Sequence, residues 1–181
     1  LNIVINLIFL GNIYAAEKNL ELDNLFNQLQ TKDTEIALEV EKKIWSIWSV
    51  HPSDDRKGYR LTAMLEQGEK MIVKKDLNAA LEIFSLIISI DANWAEAWNK
   101  RATALYLSGR NEESIADIKK VLQLEPRHFG AISGLGLNQI ELKNFKEALK
   151  SFNEAKKIYP TIETSEKMIP LLKELIKGQK T

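Results

Sequence analysis

The sequence AEAWNKRATALYLSGRNEESIADIKKVLQLEP, at residues 95–126, decides the fold class of this 181-residue chain. Its apolar and small residues recur three, four or seven positions apart, as they do on one face of an α-helix. These residues are Trp98, Ala102, Leu105, Ser114, Ile118, Val121 and Leu124. Gly109 interrupts the pattern and Pro126 ends it, because glycine favours turns and proline cannot continue a helix. The stretch therefore predicts a helix, a turn, a second helix and a stop.

The same unit occurs three times in the sequence. Leu61, Ala95 and Phe129 open successive copies that are 34 residues apart without a gap. Two positions hold small residues in every copy, namely Gly68, Ala102 and Gly136 at the eighth position and Ala80, Ser114 and Ala148 at the twentieth. A fixed period of this length is typical of a helical solenoid. We therefore expect an all-α chain whose residues 54–162 form three repeats, at 61–94, 95–128 and 129–162.

The unit resembles the tetratricopeptide repeat, which has Trp, Leu, Gly and Tyr in its first helix and Ala, Phe, Ala and Pro in its second. Trp98 and Pro126 match that pattern, whereas Arg101 stands where the repeat has Leu and Ser114 where it has Ala. The runs WNKRAT (98–103) and EPRHFGAISGLG (125–136) are also similar to those of small exported bacterial proteins of this family. The resemblance implies a right-handed superhelical α-solenoid with capping helices, and a concave groove that binds a protein or peptide.

The segments on either side of the repeats carry separate predictions. Residues 1–16, LNIVINLIFLGNIYAA, are uncharged and end in two alanines, which indicates a signal peptide and export to a bacterial periplasm. An uncleaved membrane anchor or a buried helix stays open, and without a signal the location is cytoplasmic. Residues 17–53 predict a helical hairpin that caps the exposed apolar face of the first repeat. Residues 163–181 predict a C-terminal capping helix and a fraying tail.

Composition and motifs exclude several classes of function. The 25 basic and 25 acidic residues cancel, so no overall charge attracts nucleic acid or an anionic membrane. Two histidines and no cysteine form no metal-ligand cluster of familiar spacing. No nucleophile elbow, phosphate-binding loop or zinc-protease motif is present. The tryptophans Trp45, Trp48 and Trp98 fall on apolar helix faces, which predicts core packing. We expect no enzyme activity, cofactor or metal, and a protein or peptide partner.

The family resemblance also implies which residues face the groove. They are Glu69 and Ile72 in the first repeat, Asn99, Lys100, Thr103 and Tyr106 in the second, and Ser133, Leu137 and Ile140 in the third. This set combines a polar strip with an apolar floor, which suits a peptide held by side-chain pockets and a few hydrogen bonds. Some chaperone-binding members grip a C-terminal carboxylate with repeated Lys, Asn or Arg residues. Glu66 and Gly134 stand at such positions here, which argues against that subclass.

Arg101 is the largest departure from the repeat, since it occupies a position that is normally apolar. A buried, unpaired guanidinium is costly, so Arg101 needs a partner such as Asp117 or a turn carbonyl, or else contacts a ligand. A polar site formed by Arg101, Arg127 and His128 would be the basis for a catalytic alternative. The main alternative to peptide binding is a structural or self-associating scaffold whose groove is filled by its own N-terminus or by another copy. The oligomeric state is left open.

Overall fold

The computed structural model describes residues 17–178, so the expected signal segment and the last three residues lie outside the described part. This part contains nine helices and no strand. The helices are residues 17–29 (α1), Thr34–Trp48 (α2), Arg56–Val73 (α3), Leu77–Ile90 (α4), Ala95–Leu107 (α5), Asn111–Leu124 (α6), Phe129–Glu141 (α7), Phe145–Ile158 (α8) and Glu163–Gly178 (α9). Helices α3 to α8 form three successive helix pairs, which confirms the expected all-α solenoid.

Each helix pair turns at a residue with positive φ. These residues are Lys75 (62°), Gly109 (73°) and Lys143 (60°), and they are 34 positions apart. Left-handed backbone suits glycine because glycine has no Cβ. Of these three residues, only Gly109 is therefore of a type that predicts a turn from the sequence.

The small residues of the repeat let the two helices of a pair approach closely. A Cβ added at Gly68 would collide with the ring of Phe84, and one added at Gly136 would lie 2.7 Å from the ring of Phe152. Both rings are fully buried. The glycines therefore provide the space in which the second helix of a pair packs.

The helical hairpin α1–α2 does not cover the first repeat, so the prediction of a cap at that end is wrong. Its core residues, including Phe26 and Trp48, pack with Phe129, Tyr159 and Ile162 of the third repeat. Gln30 Nε2 donates to the carbonyl oxygen of Ile158 at 2.7 Å. On the first repeat, Val73 is left 83% exposed. The hairpin instead lies across the concave side of the solenoid, because its apolar stripe is rich in aromatic rings and Phe129 and Tyr159 present matching rings there.

The short segment after α2 anchors the hairpin to the first repeat. Trp94 Nε1 donates to the carbonyl oxygen of Trp48 at 3.0 Å, and the His51 amide donates to Thr62 Oγ1 at 3.0 Å. At the other end, Leu172 of α9 packs with Ala148 and Phe152 of the third repeat. The C-terminal end of α2 is thereby tied to the first repeat, and α9 packs on the third.

Candidate functional site

A cavity of about 750 Å³ lies between α2 and the concave faces of α5 and α7, and we refer to it as the groove cavity. One wall is a single face of α2, which carries Thr34, Leu38, Glu41 and Trp45 at a spacing of three or four residues. The opposite wall contains six of the nine expected groove residues, which are Asn99, Lys100, Thr103, Tyr106, Ser133 and Leu137. Residues 159–166 contribute to its lining as well.

The three other expected groove residues lie elsewhere. Ile72 packs against the core of the first repeat, and Ile140 packs against the core formed by α8 and α9. Neither residue lines the groove cavity. Both take part in helix packing because they lie near the ends of α3 and α7, beside neighbouring apolar side chains. Glu69 does not line the cavity but pairs with Lys100 at 2.5 Å.

Gly130 explains how α2 comes so close to the concave face. A Cβ added at Gly130 would lie 2.6 Å from the Trp45 ring, which is closer than nonbonded carbons approach. Lys100 Nζ also lies 5.6 Å from the centroid of the Trp45 ring. Nothing in the local sequence identified Trp45 as the neighbour of Gly130.

A buried ionic cluster, formed by Glu96, Asn99, Lys100 and His128, lies beside the groove cavity. Glu96 is 1% exposed and accepts hydrogen bonds from Asn99 Nδ2 at 3.1 Å and from His128 Nε2 at 3.0 Å. Lys100 Nζ lies 3.2 Å from the same carboxylate. Sequence reasoning did not predict that Glu96 is buried, because nothing in its local sequence indicates that His128 lies against it.

His128 holds a defined tautomer in this cluster. Its Nδ1 accepts the Ala131 amide proton at 3.1 Å, so Nε2 carries the proton that is donated to Glu96. The imidazole is fully buried, and it stacks on Trp48 of α2 with ring centroids 4.0 Å apart and planes 9° from parallel. The hairpin therefore covers the His128 side of the ionic cluster, whereas Lys100 lines the groove cavity.

The ionic cluster shifts two pKa values. Burial on its own would raise the pKa of Glu96, but the hydrogen bond from His128 and the positive charge of Lys100 outweigh it, so the pKa lies below its usual value. Burial would lower the pKa of Lys100, but Glu96 and Glu69 outweigh it, so that pKa is raised. Both side chains therefore stay charged near neutral pH.

His51 forms a second buried histidine–carboxylate contact, at the end of α2. Its Nε2 lies 3.2 Å from Asp91 Oδ2, and its Nδ1 accepts the Ser53 amide proton. Burial lowers the pKa of His51 below 6.5, and the hydrogen bond to Asp91 offsets only part of that effect. The folded protein therefore favours neutral His51.

Acidification is expected to destabilise the protein through His51. A histidine whose pKa is lowered by folding binds its proton more readily in the unfolded state, so its contribution is present above about pH 6.5 and is lost as pH falls. Urea unfolding from about pH 7 to about pH 5 should show wild type losing more stability than His51→Gln, which does not titrate. Equal slopes for the two proteins would contradict this.

Arg101, Arg127 and His128 do not form a single polar site. Arg101 makes a two-pronged pair with Asp117, at 2.7 and 2.8 Å, and Asp117 was one of its expected partners. Arg127 pairs with Asp23 and Glu125. Their contacts are separate because each side chain extends toward a different helix. The structural basis for the catalytic alternative is therefore absent.

The described residues contain neither a metal-ligand group nor a membrane-spanning helix. Within residues 17–178, no group of three or more histidine, aspartate or glutamate side chains is placed to hold a metal ion. No helix in that range combines the length and the apolar composition needed to cross a membrane.

Two kinds of comparison connect the chain to known proteins by sequence. Models of the tetratricopeptide repeat match residues 95–128 and 131–162. A TPR repeat-containing protein of Rhizobium etli is 31% identical along an alignment that covers 92% of this chain and 86% of that protein. The small glutamine-rich tetratricopeptide repeat-containing protein 2 of Mycosarcoma maydis is 27% identical over 125 residues, covering 68% of this chain and 35% of that protein.

Solved structures show the same fold at lower identity. The Sgt2 TPR domain from Aspergillus fumigatus has a TM-score of 0.64 at 18% identity, covering 67% of this chain and 82% of that one. The first TPR domain of Spaghetti, bound to an HSP90 peptide, has a TM-score of 0.63 at 15% identity, covering 65% and 93%. The three helix pairs and the Rhizobium etli relative, which aligns along most of both chains, together show that the chain belongs to the tetratricopeptide repeat family.

Proposed function

We propose that the chain is a non-catalytic protein-interaction module that binds a peptide or protein segment in the groove cavity. The observation that carries the proposal is the cavity of about 750 Å³ on the concave side, since ligand pockets are typically about 300–1,000 Å³. The cavity is lined by apolar groups, including Tyr106 and Leu137, together with a few polar side chains. Such a lining suits side-chain pockets for a peptide.

Related folds support this proposal. The solved structure of the first TPR domain of Spaghetti contains an HSP90 peptide, and that of yeast Sti1 TPR2B is a complex with pHsp70. The groove cavity differs from an open groove because α2 forms one wall of it. We therefore expect a short segment to bind beside α2, with apolar side chains pointing toward Leu137.

The proposal is tested by selecting binders from a random peptide library and measuring their affinity by calorimetry. Tyr106→Ala combined with Leu137→Ala should weaken the binding of an enriched peptide at least about tenfold, which corresponds to about 1.4 kcal/mol of binding free energy. Leu175→Ala is the matched control, because Leu175 is exposed on α9 and does not line the cavity. If the library yields no binder, or if the double variant binds like wild type, the proposal is wrong.

A structural scaffold is the second candidate, and the position of α2 on the concave side is the observation that favours it. The chain contains no cysteine, so Trp45→Cys with Gly130→Cys places two thiols on facing helices, at a separation that a bismaleimide linker can span. A crosslink within one chain would show that the groove is filled by its own N-terminus. A crosslinked dimer would show that α2 comes from another copy.

We also propose export, which rests on the uncharged apolar composition of residues 1–16 and on the Ala15–Ala16 pair before the first charge. Cell fractionation of the chain with a C-terminal tag should recover it outside the cytoplasm. Cytoplasmic recovery would contradict export.

A further inference from the structure

The charges around the groove cavity are unequal. Glu41 lines the cavity, and Glu69 and Glu96 flank Lys100, which is the basic side chain among the described lining residues. These three carboxylates and one ammonium carry a net charge of −2. A further acidic residue, Glu141, lies close enough to contribute to raising the pKa of Tyr106, although burial is the larger cause.

Lys100 is not available to grip an incoming carboxylate. Its ammonium is held by Glu69 at 2.5 Å and by Glu96 at 3.2 Å, and a new acidic partner would have to displace one of them. The two acidic residues at the far end of the cavity do not change the balance, because Glu163 pairs with Lys167 and Glu166 with Lys156. The carboxylates of Glu41, Glu69 and Glu96 would therefore repel an acidic peptide.

The cavity floor presents buried hydrogen-bonding atoms that lack a partner. Asn138 is 1% exposed, and its Nδ2 donates to Ser114 Oγ and to the Gly134 carbonyl oxygen. Its Oδ1 accepts no hydrogen bond from any group in residues 17–178, and the same holds for the buried Ser133 Oγ. An unpaired buried acceptor is costly, and an N–H group from a ligand would remove that cost.

We propose that the groove cavity recognises a basic amphipathic peptide. The apolar side chains of the peptide enter the cavity, while its lysine or arginine residues face the carboxylates of Glu41, Glu69 and Glu96. The inference rests on the proposed peptide binding and specifies the class of peptide. Two features carry the preference for basic residues: the net charge of −2 and the saturated Lys100. The unpaired Oδ1 of Asn138 can accept an N–H from the peptide, which supports binding but does not select the charge of the peptide.

The test uses three labelled octapeptides that alternate leucine with arginine, glutamine or glutamate, measured by fluorescence anisotropy. The leucine–arginine peptide should bind at least about tenfold more tightly than the leucine–glutamate peptide, and added salt should reduce the difference. A peptide that alternates glycine with arginine should bind more weakly than the leucine–arginine peptide, since it lacks the apolar side chains.

Glu41→Gln removes one of these three negative charges with little change in side-chain shape. Glu41 accepts hydrogen bonds from Trp45 Nε1 at 3.2 Å and from the Tyr159 hydroxyl at 3.1 Å, and glutamine can still accept through its carbonyl oxygen. We expect this variant to bind the leucine–arginine peptide about threefold to tenfold more weakly. Its affinity for the leucine–glutamine peptide should be unchanged. Glu112→Gln is the matched control, because it makes the same charge change at an exposed site on α6.

The outcomes separate the two proposals. Tighter binding of the leucine–glutamate peptide, or equal loss of affinity in Glu41→Gln and Glu112→Gln, overturns the inference about basic peptides. Acidic sequences enriched from the random library also overturn it while supporting peptide binding in the cavity. If neither the library nor the three octapeptides yield binding, both proposals fail.

Discussion

Replacing Trp48 with alanine is expected to lower the free energy of unfolding by about 3–5 kcal/mol, the range of large aromatic truncations in cores. Trp48 is 7% exposed, and its ring stacks on His128 and lies 5.2 Å from the Phe129 ring. The substitution removes the ring through which α2 holds the third repeat, and it opens the ionic cluster to water. Urea unfolding followed by circular dichroism measures the loss.

Trp98→Ala is the matched control for this substitution. Trp98 occupies the tryptophan position of the repeat, and the prediction of core packing holds only in part because the ring is partly exposed. Its Nε1 donates to the Ala92 carbonyl oxygen, and Arg101 lies 4.9 Å from the ring. We expect a smaller loss, about 1–3 kcal/mol. A loss for Trp98→Ala equal to or larger than that for Trp48→Ala would contradict the assigned role of the hairpin.

Hydrogen exchange distinguishes loss of the hairpin contact from general destabilisation. In Trp48→Ala, the amides of α2 should exchange faster than those of α5 and α7, because local opening requires less free energy than global unfolding. Uniformly faster exchange in all helices would show that the hairpin and the repeats unfold as one unit.

Replacing Glu96 with alanine is expected to cost about 3–5 kcal/mol, as for other buried ion pairs that lose one partner. The change leaves the His128 Nε2–H and the Asn99 amide without their shared acceptor, and it leaves Lys100 with Glu69 alone. Glu96→Gln keeps an acceptor oxygen and the side-chain volume. We therefore expect the glutamine variant to lose less stability, about 1–2 kcal/mol.

The pH dependence of the same pair provides an independent measurement. Because folding lowers the pKa of Glu96 below 4.5, its charge stabilises the protein above about pH 4.5, and this contribution is lost as pH falls through the folded pKa. Wild type should therefore lose stability more steeply than Glu96→Gln in that range. Parallel curves, or equal losses for the alanine and glutamine variants, would contradict a structural role for the charge.

Local sequence patterns predicted much of the fold. The spacing of apolar residues in residues 95–126 predicted the pair α5–α6, and the 34-residue period extended that prediction to α3–α4 and α7–α8. These predictions succeed because each depends on contacts between residues close in sequence, which periodicity records directly. Small residues such as Gly136 were informative for the same reason, since each one faces the other helix of its own repeat.

The candidate site was predicted less completely. Six of the nine groove residues line the cavity, because α5 and α7 follow the repeat pattern. Ile72 and Ile140 were assigned to the groove by position, but both are half-buried against helix cores outside the groove cavity. Glu96 was overlooked as a buried residue, since nothing in its local sequence indicates that His128 and Trp48 enclose it.

The sequence by itself determined the helices, their pairing and the solenoid, because helix periodicity and a regular repeat encode short-range packing. Only the tertiary structure decided where α1 and α2 lie, and with them the wall of the groove cavity and the burial of the ionic cluster. An apolar stripe shows that a helix face is buried but does not specify its partner. Helix α2 packs on the concave side because Gly130 leaves space for the Trp45 ring and His128 stacks on the Trp48 ring. Both partners are distant from α2 in the sequence.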